Sequence, residues 1–201
     1  MAKNNQPVAK RCKALGLSPA VLGYSKKTTN RNSQNQTRKK QSEYALQMNE
    51  KQKVKFVYGI LEKQFRTYYE KAEKMPGKTG ENLLTSIERR LDNVVFRLGF
   101  ARTRTEARQI VDHKHILVNG KVVNIPSYSV KPGDVITVSE KAKNKAKQRF
   151  ADVLEVTEGR SVPGWLESDK ENLSGTVKEY PQRDMIDVPV NEELIVELYS
   201  K

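Results

Sequence analysis

The stretch Thr103–Val123, TRTEARQIVDHKHILVNGKVV, changes its hydrophobic period halfway. Thr103-Arg104-Thr105-Glu106 fits a capping box, in which a Thr hydroxyl and a Glu carboxylate satisfy free amides at a helix start. Ala107, Ile110 and Val111 then recur at helical spacing and predict a helix that begins at Thr103 and turns these residues inward. Arg104 and Arg108 are four apart, share the outer face, and are expected to be exposed. After His115 the period drops to two. Ile116-Leu117-Val118 and Lys121-Val122-Val123 flank Asn119-Gly120, and Asn-Gly tolerates the positive backbone angles of a tight hairpin turn.

The pattern extends outward in both directions. Leu83, Leu84, Ile87, Leu91, Val94, Val95 and Leu98 form one stripe and predict a helix from Thr79 or Gly80 to Leu98. Residues 42–74 also read as helix, on Val57, Ile60, Leu61, Phe65 and Tyr68, with a bend at Gly59 and a stop at Met75-Pro76-Gly77. Downstream, Pro132-Gly133 predicts a turn, Val135–Val138 a third strand and Lys141–Arg149 a basic helical exit. The tail from 151 is acidic and irregular at first, with a candidate strand at Gly175–Tyr180. Asn191 then caps a terminal helix whose face is Leu194, Ile195, Leu198 and Tyr199. No internal repeat is present.

Charge narrows the partner. Lys and Arg total 37 against 24 Asp and Glu, a net charge of +13. Residues 1–55 hold 13 basic and 2 acidic groups, whereas residues 151–201 hold 5 and 12. A chain so basic at one end calls for a polyanion, either nucleic acid or an anionic membrane. Membrane is the weaker choice, because no stretch approaches the roughly 18–20 apolar residues of a bilayer span. No apolar core of the signal-peptide type opens the chain, so secretion is not expected. The single cysteine, Cys12, makes no internal disulfide and suggests a reducing compartment. It lies between Arg11 and Lys13, where a lowered thiol pKa is conceivable, but it reads as an ordinary residue of a basic tail. Residues 1–41 carry no acid and read as an extension without its own core, with Leu15–Leu22 as a short apolar anchor.

Seven basic residues fall within 25 positions on the helix pair and hairpin: Arg97, Arg102, Arg104, Arg108, His113, Lys114 and Lys121. Guanidinium forks held on one rigid face suit phosphates, and the helix start at Thr103 adds free amides. Such an array reads backbone shape, which fits structured RNA. Phe96, Phe100 and Tyr128 are the only stacking candidates nearby, so single-strand reading is disfavoured.

Three runs carry a resemblance. Arg90–Ala101 is RLDNVVFRLGFA, Thr103–Gln109 is TRTEARQ, and Val118–Tyr128 is VNGKVVNIPSY. They resemble the bacterial small-subunit ribosomal protein four family, whose small RNA-binding domain occurs in many other proteins. Glu50–Val54 (EKQKV), Gly80–Leu84 (GENLL) and Glu193–Lys201 (ELIVELYSK) match the same family, so the likeness covers about residues 42–201. It implies an α+β fold. A basic extended arm (1–41) would precede a helical domain (42–90, completed by a C-terminal helix at 185–201). An RNA-binding domain (91–184, core 91–150) would be inserted into it.

The resemblance further implies a structural, non-enzymatic constituent of the small ribosomal subunit, working on the cytoplasmic ribosome. It would bind small-subunit (16S) ribosomal RNA early, at a multi-helix junction, and nucleate assembly. With ribosomal small-subunit protein five, near the channel by which messenger RNA enters, it would influence decoding accuracy. The RNA-binding candidates are Lys10, Arg11, Lys13, Lys26, Lys27, Arg38, Lys39 and Lys40 in the arm. Lys51, Lys53, Lys55 and Arg66 follow on the polar side of the first helical stretch. Arg89, Arg90, Asn93, Arg97, Arg102, Arg104, Arg108, His113, Lys114, Asn119 and Lys121 complete the set. By position Arg38, Lys39 and Lys40 would lie close to the messenger RNA channel. Leu194, Leu198 and Tyr199 are candidates for contact with the neighbouring protein. Many members bind zinc through four arm cysteines. Here only Cys12 is present and both histidines lie at 113 and 115, so this is the cysteine-poor, zinc-free form, with no cofactor and an arm ordered by RNA.

Other readings are weaker. Gly77-Lys78-Thr79 lacks the earlier Gly of a phosphate-binding loop, since Ala72 stands there. Glu88 and Asp92, beside Arg89 and Arg90, read as surface ion pairs rather than paired catalytic carboxylates. An RNA-modifying enzyme that docks through this module needs a catalytic domain that residues outside 91–150 do not offer. A free-standing RNA chaperone or ribosome-rescue factor is the remaining alternative.

Overall fold

Glycine decides where the first helices stop. Helix α1 (Val8–Leu15) closes at Gly16 with a φ of 67°, and α2 (Glu43–Tyr58) closes at Gly59 with a φ of 63°. A residue with a Cβ rarely adopts these left-handed angles. Gly59 therefore breaks the expected 42–74 helix instead of bending it. The Ile60 amide donates back to the Lys55 carbonyl, and α3 starts afresh at Glu62–Glu73. The computed structural model describes residues 7–24, 42–145 and 147–200. The chain falls into two compact units, residues 1–80 with 188–201, and residues 81–187.

The first unit is helical. Helix α9 (Glu192–Tyr199) is capped by Asn191, whose side chain accepts from the Glu193 amide at 3.0 Å, as the sequence predicts. It packs along α2, where Gln47 Nε2 donates to Glu197 Oε2 at 3.0 Å and the Asn191 amide donates to Glu50 Oε2 at 3.0 Å. Ile195, Val54, Val57, Phe65 and Ala72 are buried in this unit. Part of the N-terminal segment has a core after all. Cys12, Leu15 and Leu17 are buried in α1 and the residues after it, and a 3-10 turn follows at Pro19–Leu22. Cys12 is fully enclosed, and burial pushes its thiol pKa up, the opposite of the shift that its basic neighbours suggest.

The second unit begins with α4 (Thr79–Glu88), α5 (Leu91–Arg97) and α6 (Arg104–Asp112). The stripe from Leu83 to Leu98 is continuous in burial, but the helix is not. Arg90 takes an extended angle, and the amides of Leu91 and Asp92 donate to the carbonyls of Tyr128 (2.8 Å) and Pro126 (3.1 Å). A distant loop thus supplies the acceptors that a continuous helix would have provided.

Strands β1 (Ile116–Val118), β2 (Lys121–Val122), β3 (Val135–Val138), β4 (Leu166–Asp169) and β5 (Ser174–Val177) form one antiparallel sheet in the order β2-β1-β3-β5-β4. The hairpin turn is the predicted one, with Asn119 at a φ of 50° and Gly120 at 76°. The basic exit is helical over its described residues, Glu140–Lys145 (α7) and Lys147–Thr157 (α8). Leu91, Val95, Leu98, Ile110, Ile116, Ile136 and Trp165 are fully or almost fully buried between the helices and the sheet. Among the described residues no helix is long and apolar enough to cross a membrane.

Gly175 shows how tightly β5 meets α5. A Cβ there would lie 2.4 and 2.6 Å from the Leu98 methyls and 3.1 Å from the Glu167 carbonyl oxygen. Leu98 is fully buried and has little room to yield. Gly175→Ala is expected to destabilise the unit by about 1–3 kcal/mol, the usual range for overpacking. A denaturant titration followed by Trp165 fluorescence reads this directly, and an unchanged midpoint would contradict it.

Candidate nucleic-acid interface

The joint between α5 and α6 turns at Gly99, with a φ of 85°. The Thr103 hydroxyl accepts from the Glu106 amide at 3.2 Å, as a capping box requires. The Glu106 carboxylate reaches one residue further back than expected, to the Arg102 amide at 2.8 Å. Arg160 ties the joint from below: its guanidinium donates to the carbonyls of Phe96, Ala101 and Arg102 at 2.9–3.0 Å. Arg160 and Arg104 both pack on the Phe96 ring, at 4.2 and 4.3 Å from its centre. Burial, and then the nearby Arg97, push the Arg160 pKa down. The sequence reading passed over Arg160. Its one signal was a lone arginine opening an acidic, Pro- and Gly-containing stretch.

Beneath the joint lies a buried polar lattice. Glu88 has no exposed surface. Its carboxylate accepts from Arg97 Nη2 at 2.6 Å and from Asn93 Nδ2, while Asn93 Oδ1 accepts from Arg104 Nε at 2.8 Å. Arg90 makes a two-point pair with Asp92, at 3.1 and 2.7 Å. Several expectations are corrected here. Arg104 is only 7% exposed, so it does not share an exposed face with Arg108. Glu88 and Asp92 are not surface ion pairs but buried ones. Arg90, Asn93 and Arg97 are also buried, and each gives polar atoms to these buried pairs. An uncompensated charge in such a place is costly, so each arginine is met by a carboxylate or an amide oxygen.

The outer layer is different. Arg102, His113, Lys114, Asn119 and Lys121 are exposed and Arg108 is half-buried. Lys114 closes α6 at a φ of 63°, its amide donating to the Val111 carbonyl at 2.9 Å. Asn119 is partly committed: its amide group donates to Asp134 Oδ1 at 2.9 Å and its oxygen accepts from the Val135 amide at 2.9 Å. Arg89 donates to the Val130 carbonyl at 3.0 Å and stacks on Tyr180 at 4.3 Å. No group of three or more His, Cys, Asp or Glu that could hold a metal ion occurs among the described residues.

The other candidates lie in the helical unit. Lys10 and Lys13 are exposed, and Arg11 reaches Gln52 Oε1 at 3.4 Å. Lys51 and Lys55 both bind Glu62 (3.0 and 2.5 Å), Lys53 binds Glu50 (2.5 Å) and Arg66 binds Glu70 (3.2 Å). Lys51 is buried rather than presented on an open polar side. Tyr199 turns inward, stacking on Tyr69 at 4.6 Å and donating to Glu62 Oε1 at 2.8 Å, while Leu194 and Leu198 are half-buried. Lys26, Lys27, Arg38, Lys39 and Lys40 lie outside the described residues.

Glu62 is the hub of this cluster. Burial raises its pKa, but hydrogen bonds from Lys55, Tyr199 and Lys51, with the Lys51 charge, outweigh that and lower it to about 2. A folded-state pKa below the unfolded value of about 4.3 gives stability that is present above that value and lost as pH falls through 2. The Glu62 side chain is 48% exposed, so solvent screening reduces the loss to about 1 kcal/mol between roughly pH 5 and pH 2. Glu62→Gln should flatten that part of the stability profile, as read by circular dichroism. An unchanged slope would remove Glu62 from the acid response.

Basic side chains carried on a helix pair and hairpin, over a buried lattice of hydrogen bonds, form a surface of the class that suits a polyanion. The relatives agree with that class. Residues 89–136 match the family described as S4 domain, and residues 3–88 match Ribosomal protein S4/S9 N-terminal domain. The chain is 65% identical over 202 residues to small ribosomal subunit protein uS4 of Lachnoclostridium phytofermentans, covering all of both chains. It is 50% identical to that of Fusobacterium nucleatum over 201 residues, again end to end. It is 61% identical to that of Caldicellulosiruptor saccharolyticus over 166 residues, covering 83% of this chain and 79% of the relative. The chain belongs to the uS4 family of small ribosomal subunit proteins.

Proposed function

We propose that this chain binds small-subunit (16S) ribosomal RNA directly, nucleates assembly of the subunit around a multi-helix junction, and influences decoding accuracy. Family membership makes it a structural RNA-binding protein of the small subunit, on the ribosome in the cytoplasm, and not an enzyme. The carrying observation is the outer layer of Arg102, Arg108, His113, Lys114 and Lys121 at the joint, helix end and hairpin. Cations of this kind suit the phosphates of a folded RNA and need no particular base. The helical unit and the basic arm supply further cations, and residues 91–184 act as the inserted RNA-binding domain. The half-buried Leu194 and Leu198 on α9 suit contact with a neighbouring protein, for which small-subunit protein five is the family's candidate. Arg38, Lys39 and Lys40 are the residues for messenger RNA near its channel.

Co-sedimentation with small subunits at a ratio near one tests this reading. So does salt: six to ten phosphate contacts should lose roughly 10³–10⁵ in affinity between about 50 and 200 mM. A copy number far below that of small subunits would move the protein to a free-standing, ribosome-associated factor.

A further inference from the structure

Arg97 Nη2 carries two hydrogens and spends them in opposite directions. One goes inward to Glu88 Oε1 at 2.6 Å, where the acceptor is completely buried. The other goes outward to Asp187 Oδ1, also at 2.6 Å, and that side chain is 72% exposed. The inner bond belongs to the lattice beneath the joint. The outer one lies at the surface and screens a cation of the proposed RNA-facing module from solvent.

Asp187 faces more than one cation. Partial burial raises its pKa, but the hydrogen bond and charge of Arg97, together with the charge of Arg104, outweigh that and hold it below the usual carboxylate range. Its oxygen therefore stands where an anion is favoured by two guanidinium groups. A carboxylate oxygen and a phosphate oxygen take the same hydrogen bond from an arginine.

We propose that the Asp187 carboxylate occupies, on Arg97, the position that an RNA phosphate takes in the complex, so that binding exchanges one anion for the other. This rests on the reading that the α5–α6 joint faces RNA. The exchange is easy to make. Asp187 swings into water, which solvates it well because it is already mostly exposed, and Arg97 keeps its inner bond to Glu88. Asp187 thereby acts as a specificity-determining residue. A stray anion must displace it for one contact, whereas a folded RNA does so while gaining the contacts of Arg102, Arg108 and the hairpin.

The test uses the full chain and transcribed small-subunit ribosomal RNA, with filter retention at about 150 mM salt. Asp187→Asn removes the resident anion and should tighten binding about two- to fivefold, the factor that an ion pair with one exposed member is worth. Asp184→Asn is the control for charge alone, since Asp184 is exposed three residues away and makes none of these contacts. It should give less than half that gain. Asp187→Glu keeps the anion and should bind like the native chain. Equal gains from the two Asn variants, or no gain from Asp187→Asn, would overturn the exchange. Arg102→Ala with Arg108→Ala separates the two readings. If that pair weakens binding while Asp187→Asn changes nothing, only the Asp187 proposal fails. If the pair binds normally, the RNA face is wrong and the proposal falls with it.

Discussion

Glu88→Ala is expected to lower the unfolding free energy of residues 81–187 by about 3–5 kcal/mol, the cost of leaving a buried charge without its partner. Glu88 is fully enclosed and accepts from both Arg97 and Asn93. Without the carboxylate, Arg97 loses its buried anion while the exposed Asp187 remains, and Asn93 loses an acceptor while still holding Arg104. The buried side of the guanidinium then lacks the anion that offset its desolvation, since Glu88 has no exposed surface. Glu88→Gln keeps an oxygen for Asn93 but loses the charge, so it should fall between the native chain and Glu88→Ala. Trp165 is the only tryptophan and is fully buried in the same unit, so its emission reports this unit's unfolding. A Glu88→Ala midpoint within about 1 kcal/mol of the native one would mean that the lattice relaxes and does not bear on stability.

The parts legible in the sequence are those that local chemistry decides. Asn119-Gly120 forms its turn because two adjacent residues tolerate positive φ, and Asn191 caps α9 because its side chain reaches an amide two residues on. Val135–Val138 is a strand at the expected bounds. The misreadings at the joint mostly involve partners far along the chain, whereas Gly59 ends α2 by its own left-handed backbone. The break at Arg90 depends on carbonyls of residues 126 and 128, and the burial of Arg104 depends on Asn93 and Phe96 on another helix. Helical periodicity assigns an arginine to the outer face by its type, and cannot foresee that a buried Glu88 lies nine residues before Arg97 to receive it. Strand β4, Leu166-Glu-Ser-Asp, is polar enough to pass for loop and exists because β5 offers it an edge. At the interface, the outer cations at the helix end and hairpin were readable because nothing distant alters their exposure. The inner ones were not, and Arg160 was missed because its acceptors are about 60 residues away.

This division between inner and outer arginines governs the choice of variant for testing RNA binding. Arg104→Ala would mix two effects, since the side chain holds Asn93 and packs on Phe96. Arg102→Ala with Arg108→Ala leaves those two contacts of Arg104 in place. Arg102 is exposed, and its bonds to Glu106 and Arg160 run through its backbone amide and carbonyl, which alanine retains. Arg108 is half-buried on α6. If each meets one phosphate, the double variant should flatten the slope of log affinity against log salt by about two. Each lost contact is worth roughly eightfold at 0.1 M salt, so binding should weaken by about sixtyfold there and converge on the native chain as salt rises. The Trp165-reported unfolding midpoint is measured alongside, so that any loss of stability from Arg108 is separated from the loss of RNA contacts. A loss of affinity that is the same at every salt concentration would mean that these arginines do not act as phosphate contacts. An affinity that does not change at all would move the RNA-binding face away from the α5–α6 joint, to the cations of the arm and the helical unit.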